Sequence, residues 1–137
     1  MRLAVEERLT VYKTKPFGRF ARKARISDRD LWEAARLASL GLVDADLGGG
    51  VIKQRIARTG EGKSGGSRSI VLFRFKGRAV FVYGFEKKDL GNIKADELEA
   101  FRELADVILG YSEEEMAKRV ADGALIEIEP PQEDSDA

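Results

Sequence analysis

The sequence predicts a single α+β domain in which a small antiparallel sheet packs against two amino-terminal helices and helix returns toward the carboxyl end. Three observations carry this. Apolar residues recur at helical spacing on both sides of Ser27. Three segments rich in β-branched and aromatic residues lie between Val51 and Phe85, separated by glycine-rich turns. Helical spacing resumes at Leu98. With 137 residues there is room for one ordinary core.

Thr10-Val11-Tyr12-Lys13-Thr14 reads as a short strand. Pro16 suits the first turn of a helix, and Phe17, Phe20, Ala21 and Ala24 share its apolar side, leaving Arg19, Arg22, Lys23 and Arg25 largely opposite. Ser27 and Asp30 have the spacing of a capping box; Leu31, Ala34, Ala35 and Ala38 continue a stripe that Gly41 ends. A helical hairpin is thus expected before the sheet.

Gly48-Gly49-Gly50 breaks the chain before the strand Val51 to Arg58, where Val51, Lys53, Arg55 and Ala57 take one face and Ile52 and Ile56 the other. A glycine loop leads to a second strand, Arg68 to Phe75. Lys76-Gly77-Arg78 makes a tight turn, and Ala79 to Phe85 is apolar on both faces, as a central strand is. Leu98, Phe101, Ala105 and Ile108 mark an amphipathic helix closed by Gly110, and Ser112 with Glu115 caps another that stops near Gly123. Ala124 to Ile128 is a candidate last strand. The expected organisation is one domain over residues 1–128, with a helical extension from about 111 and an acidic disordered tail over 129–137.

Composition excludes more chemistry than it suggests. The chain has neither Cys nor His, so disulfides, thiolate nucleophiles, imidazole bases, zinc fingers and serine-histidine triads are all ruled out. Any catalysis must run on Lys, Arg, Tyr, Asp or Glu. There is no apolar run near 18 residues, and acidic residues follow soon after Met1, so a cytoplasmic location is expected.

Lys+Arg and Asp+Glu both number 24, but the balance conceals segregation. Arg8 to Ile26 holds seven basic residues and no acid; Val51 to Lys88 holds ten against Glu61 and Glu86; Asp89 to Ala137 holds fifteen acidic against four basic. Such asymmetry suits a basic surface facing phosphates and an acidic end that solubilises or shields it. The plainer reading is a set of solvated faces.

Two motifs fail on context. Ala57 to Ser64 satisfies a relaxed phosphate-loop pattern, but Gly65-Gly66 and a strand follow where a helix is required, so nucleotide hydrolysis is not expected. Asp44-Ala45-Asp46-Leu47-Gly48 has the opening of a calcium loop, but Arg55 occupies the position that needs Glu, so a turn is expected. Trp32 and the aromatic strand residues read as core.

What remains is the set Lys53, Arg55, Arg58, Lys63, Arg68, Lys87 and Lys88, which the meander allows to converge on one face. Guanidinium and ammonium groups can orient a phosphodiester, stabilise the charge of a pentacovalent state and take a proton through a clustered amine. A basic sheet that only binds is the alternative.

At these residues the sequence resembles a known family. Val43 to Arg58 (VDADLGGGVIKQRIAR), Gly60 to Arg68 (GEGKSGGSR) and Phe81 to Lys87 (FVYGFEK) are similar to the RelE/HigB branch of the RelE/ParE superfamily of type II toxin-antitoxin toxins, from about Tyr12 to Leu109. The resemblance implies a microbial-ribonuclease-like α+β fold and a ribosome-dependent endoribonuclease that cuts mRNA with the substrate's 2′-hydroxyl as nucleophile and no metal or other cofactor. It implies catalytic roles for Lys53, Arg55, Arg68 and Lys87, with Lys53 and Arg55 positioning the phosphate or supplying the base and Arg68 stabilising the transition state. Arg58, Lys63, Lys88, Arg19, Arg22 and Lys23 are the candidate contacts to RNA and ribosome, and the implied partners are an antitoxin of helix-turn-helix type, the ribosome and mRNA, with no membrane. Where a relative carries a general-acid tyrosine this chain has Lys94, and Tyr83 is a poor substitute because it is expected within the sheet. The competing reading is a ParE-like gyrase inhibitor or a non-catalytic binding member of the superfamily.

Overall fold

The structure, a computed structural model, describes residues 8–57, 66–74, 77–86 and 93–131. Along the chain run β1 (Thr10–Thr14), α1 (Lys15–Ala24), α2 (Asp28–Ser39), β2 (Ala45–Gly48), β3 (Val51–Ile56), β4 (Ser67–Arg74), β5 (Arg78–Glu86), α3 (Ala95–Leu109), α4 (Glu113–Ala121) and β6 (Leu125–Ile128). Helices α1, α2 and α4 begin where side chains satisfy their free amides. The Thr14 hydroxyl accepts from the Phe17 amide at 3.2 Å, and Ser27 with Asp30 and Ser112 with Glu115 form reciprocal capping boxes. Gly41, at φ 87°, turns the chain away after α2.

The strands form one sheet in the order β2-β3-β4-β5-β1-β6. β3, β4 and β5 make the expected antiparallel meander. Three features differ from the sequence reading. β1 is not a prelude to the sheet: it lies inside it, parallel to β5 and antiparallel to β6, so the sheet is mixed and the helical hairpin leaves from one of its strands. Val11 and Tyr12, on opposite faces, are both buried, which a lone strand outside a sheet could not achieve. Asp44 to Gly48 is not merely a turn, because Ala45–Gly48 pairs with β3 as an edge strand, where alternate polar residues are tolerated. Arg78, expected in the turn, opens β5 and is buried.

Each face of the sheet is covered by helices. Ile52, Ile56, Val71 and Phe81 pack with Phe17, Leu31 and Ala35 of α1 and α2; Val51, Ile70, Leu72 and Val80 pack with Ala105 and Ile108 of α3 and Met116 of α4. Gly84 lies so close to α1 that a Cβ there would fall against the Phe20 ring. The other helical layer is tied down by Arg78, whose Nη1 donates to the carbonyls of Ile108 (2.8 Å) and Tyr111 (3.0 Å) and whose Nη2 donates to Glu113 (3.1 Å). Arg74 adds a bond to the Leu109 carbonyl at 2.6 Å. α3 therefore has a fixed position, and Lys53, Arg55, Arg68 and Tyr83 on the same face are not buried beneath it.

No helix among the described residues is long and apolar enough to cross a membrane. The strand that follows the glycine loop pairs Ser67 with Ile56, so the chain returns as antiparallel β4, in agreement with the rejection of the phosphate loop. Residues 58–65 and 132–137 lie outside the described residues, and with them most of that motif and most of the expected tail.

Candidate active site

The strand period of two sets the site. On β3 the residues that face α3 are Val51, Lys53 and Arg55, and the partners across the ladder face the same way. Arg55 is opposite Arg68, which is opposite Phe85; Lys53 is opposite Ile70, which is opposite Tyr83. Two parallel rows result: Arg55-Arg68-Phe85 and Lys53-Ile70-Tyr83. Strands in a sheet are about 4.8 Å apart, so the two arginines start closer together than unscreened like charges favour.

Asp44 relieves this. Its Oδ2 lies 3.2 Å from Arg68 Nε, and the loop that carries it is fastened by the buried side chain of Gln54. Gln54 accepts from the Asp44 amide at 3.1 Å and donates to the carbonyls of Ala34 and Leu42, both at 3.0 Å. The compensation is incomplete. Arg55 Nη2 and Arg68 Nη1 are buried and have no hydrogen-bond partner among the described residues. Burying a guanidinium nitrogen without an acceptor costs free energy, and an oxyanion within reach of either nitrogen would reduce that cost. The arrangement is therefore suited to receiving a phosphate.

Lys53, Arg55 and Arg68 thus come together as expected. Arg19, Arg22 and Lys23 do not join them: α1 packs on the opposite face of the sheet, where Arg19 and Arg22, with Lys13, Lys15, Gly18 and Ile126, line a separate cleft of about 440 Å³. Arg58, Lys63, Lys87 and Lys88 lie outside the described residues. Lys94 is the N-cap of α3, its amide donating to Glu97 at 3.0 Å.

Tyr83 lies within the sheet, as expected. It belongs to β5, but its side chain is 49% exposed on the face of Lys53 and Arg68, because α3 covers only part of that face. Asp44 was missed. Sequence placed it only in an expected turn, after a calcium loop had been rejected, whereas here it is the counter-ion of Arg68, and Asp46 accepts from the Gly48 amide at 2.9 Å. Among the described residues no cluster of three or more acidic residues is placed to hold a metal ion. A polar Gln54 at an inward strand position was the one available signal that this loop is fastened.

A six-stranded mixed sheet with helices on both faces and a cross-strand pair of arginines on one of them defines a small α+β domain. The family model of the RelE toxin of the RelE/RelB toxin-antitoxin system matches residues 9–128, and the chain belongs to that family. It is a toxin of a toxin-antitoxin system, and a cognate antitoxin is its implied partner. A search of the curated proteins finds no match.

Proposed function

We propose that this toxin is a ribosome-dependent mRNA endoribonuclease of the RelE/HigB branch, acting in the cytoplasm without a cofactor. The observation that carries the reading is the opposed pair Arg55 and Arg68, each with a buried nitrogen still lacking an acceptor among the described residues. Two guanidinium groups on facing positions of neighbouring strands suit a phosphodiester whose charge increases on the way to a pentacovalent state. With no imidazole or thiol in the chain, the substrate's own 2′-hydroxyl is the nucleophile that asks least of the protein. Arg68 stabilises the charge that builds, Arg55 holds the phosphate, and Lys53, on the same strand face, takes the proton from the 2′-hydroxyl. Lys87 assists, Arg58, Lys63 and Lys88 hold flanking backbone, and Arg19, Arg22 and Lys23 contact ribosomal RNA through charge. The antitoxin, of helix-turn-helix type, keeps the toxin inactive.

The test uses the purified protein with mRNA-programmed ribosomes, followed by analysis of the new ends, beside a gyrase supercoiling assay. The expected products carry a 2′,3′-cyclic phosphate or 3′-phosphate and a 5′-hydroxyl, and a 2′-deoxy nucleotide at the cut site stops the reaction. Intact mRNA with inhibited supercoiling would replace this reading with a gyrase-directed toxin.

A further inference from the structure

Tyr83 is the only aromatic side chain among the large hydrophobic residues that are exposed in the described part of the chain. Its exposure is produced by the fold. The β4–β5 register slips between Ile70, which pairs with Tyr83, and Val71, which pairs with Phe81. A bulge of this kind re-aims the residues beside it, and Tyr83 emerges from a strand whose preceding residues Ala79, Val80 and Phe81 are fully buried. Two rings brace it: Phe85 and Phe101 each lie 6.0 Å away, centroid to centroid, tilted at 33° and 41°. The side chain is thus held in place by apolar neighbours, and its hydroxyl forms no hydrogen bond among the described residues.

Its position relative to the guanidinium pair gives this exposure a use. Tyr83 is opposite Ile70, two residues along β4 from Arg68 and on the same face, so the two Cα positions are diagonal neighbours at about 7–8 Å. A rigid aromatic group beside cations that hold a phosphate is the combination by which proteins take up unpaired nucleotides, since every base has a face to stack. We infer that Tyr83, braced by Phe85 and Phe101, is the stacking surface for an unpaired base of the RNA whose adjoining phosphate lies between Arg55 and Arg68. This rests on the endoribonuclease reading and adds to it a residue that selects a splayed, single-stranded substrate.

The experiment measures cleavage of ribosome-programmed mRNAs, each carrying one abasic nucleotide at a successive position around the cut, by the wild type and by Tyr83→Phe, Tyr83→Leu and Tyr83→Ala. Stacking of a base on an aromatic side chain is worth about 1–3 kcal/mol, so Tyr83→Ala should raise KM by roughly 5- to 150-fold with kcat little changed. Tyr83→Leu keeps apolar contact with Phe85 and Phe101 but has no flat face, and should lose the same affinity at an unchanged unfolding midpoint. Tyr83→Phe should match the wild type. One abasic position should reproduce the loss in the wild type and cause none further in Tyr83→Ala, the signature of two partners in one contact.

Wild-type affinity in both Tyr83→Leu and Tyr83→Ala would overturn the inference, as would additive losses at every abasic position. Tyr83→Phe as impaired as Tyr83→Ala would also overturn it, by showing that the hydroxyl is what matters. Wild-type protein that leaves every mRNA intact would instead refute the endoribonuclease reading itself.

Discussion

Arg55 and Arg68 stand directly opposite each other on β3 and β4, and each keeps a buried guanidinium nitrogen without a partner among the described residues. Cross-strand cations usually destabilise a sheet, and among the described residues one carboxylate, Asp44, is paired with Arg68 and offsets part of that. A packing role would be served better by apolar residues, since Ile70 and Leu72 further along β4 are fully buried. An arrangement that is electrostatically incomplete in this way is one that an anion would complete.

Arg68→Ala should therefore lower the cleavage rate by about 10²–10³-fold, the effect of removing one donor aimed at a developing oxyanion. Stability should change little, because a partly exposed pair such as Arg68–Asp44 contributes about 1 kcal/mol or less. Arg68→Lys keeps the charge but loses the planar fork, and should recover only part of the rate. Single-turnover cleavage and thermal unfolding measure the two effects separately; equal activity in Arg68→Ala would place the chemistry elsewhere.

Gly84 faces the Phe20 ring with no space for a methyl group. Gly84→Ala should destabilise the fold by about 1–3 kcal/mol through overpacking between β5 and α1. Phe20→Leu in the same chain should recover much of that loss. Urea unfolding of the two single variants and the double variant tests the contact, and a Gly84→Ala penalty that is identical in both backgrounds would show that Phe20 is not its cause.

Arg78 fastens the carboxyl end of α3 and the start of α4 while only 1% exposed. Arg78→Met preserves much of the volume but leaves the Ile108 and Tyr111 carbonyls without their donor, which should cost about 2–5 kcal/mol. Glu113, whose side chain is 80% exposed, contributes far less, and Glu113→Gln should change stability by under about 1 kcal/mol. A larger loss in Glu113→Gln than in Arg78→Met would contradict this division of roles.

The parts of this molecule legible in its sequence are those set by short-range pattern. Alternation along Val51–Ile56 put Lys53 and Arg55 on one face, and the glycine turns made the meander that brings Arg68 across from them. Caps at Ser27 and Ser112 were equally local. The rest depends on distant pairing. Nothing near Thr10 indicates that it pairs with Arg78, nor that this makes the sheet mixed. Tyr83 sits in a run that is apolar throughout, and its exposure follows from where α3 stops covering the sheet and from a bulge, neither of which leaves a mark in composition. Asp44 could be recognised as a counter-ion only once β2 had formed beside β3.

The cleft on α1 should act by charge alone. Of its cations, Lys13 is tied to Asp28 at 2.8 Å, whereas Lys15, Arg19 and Arg22 form no ion pair among the described residues. These three recur at helical spacing on one face, and they lie across the sheet from Arg55 and Arg68, too remote to reach the same phosphate. Arg22→Ala should thus weaken association with ribosomes to a similar extent for every mRNA, and reduce the salt dependence of binding by about one unit of log slope for each phosphate that is no longer neutralised. Cleavage at saturating ribosome concentration should be nearly unaffected, in contrast to Arg68→Ala. Binding titrations across salt concentrations, paired with single-turnover rates, separate the two surfaces; a collapse of the saturated rate in Arg22→Ala, with Arg68→Ala still active, would move the active site to the α1 face of the sheet.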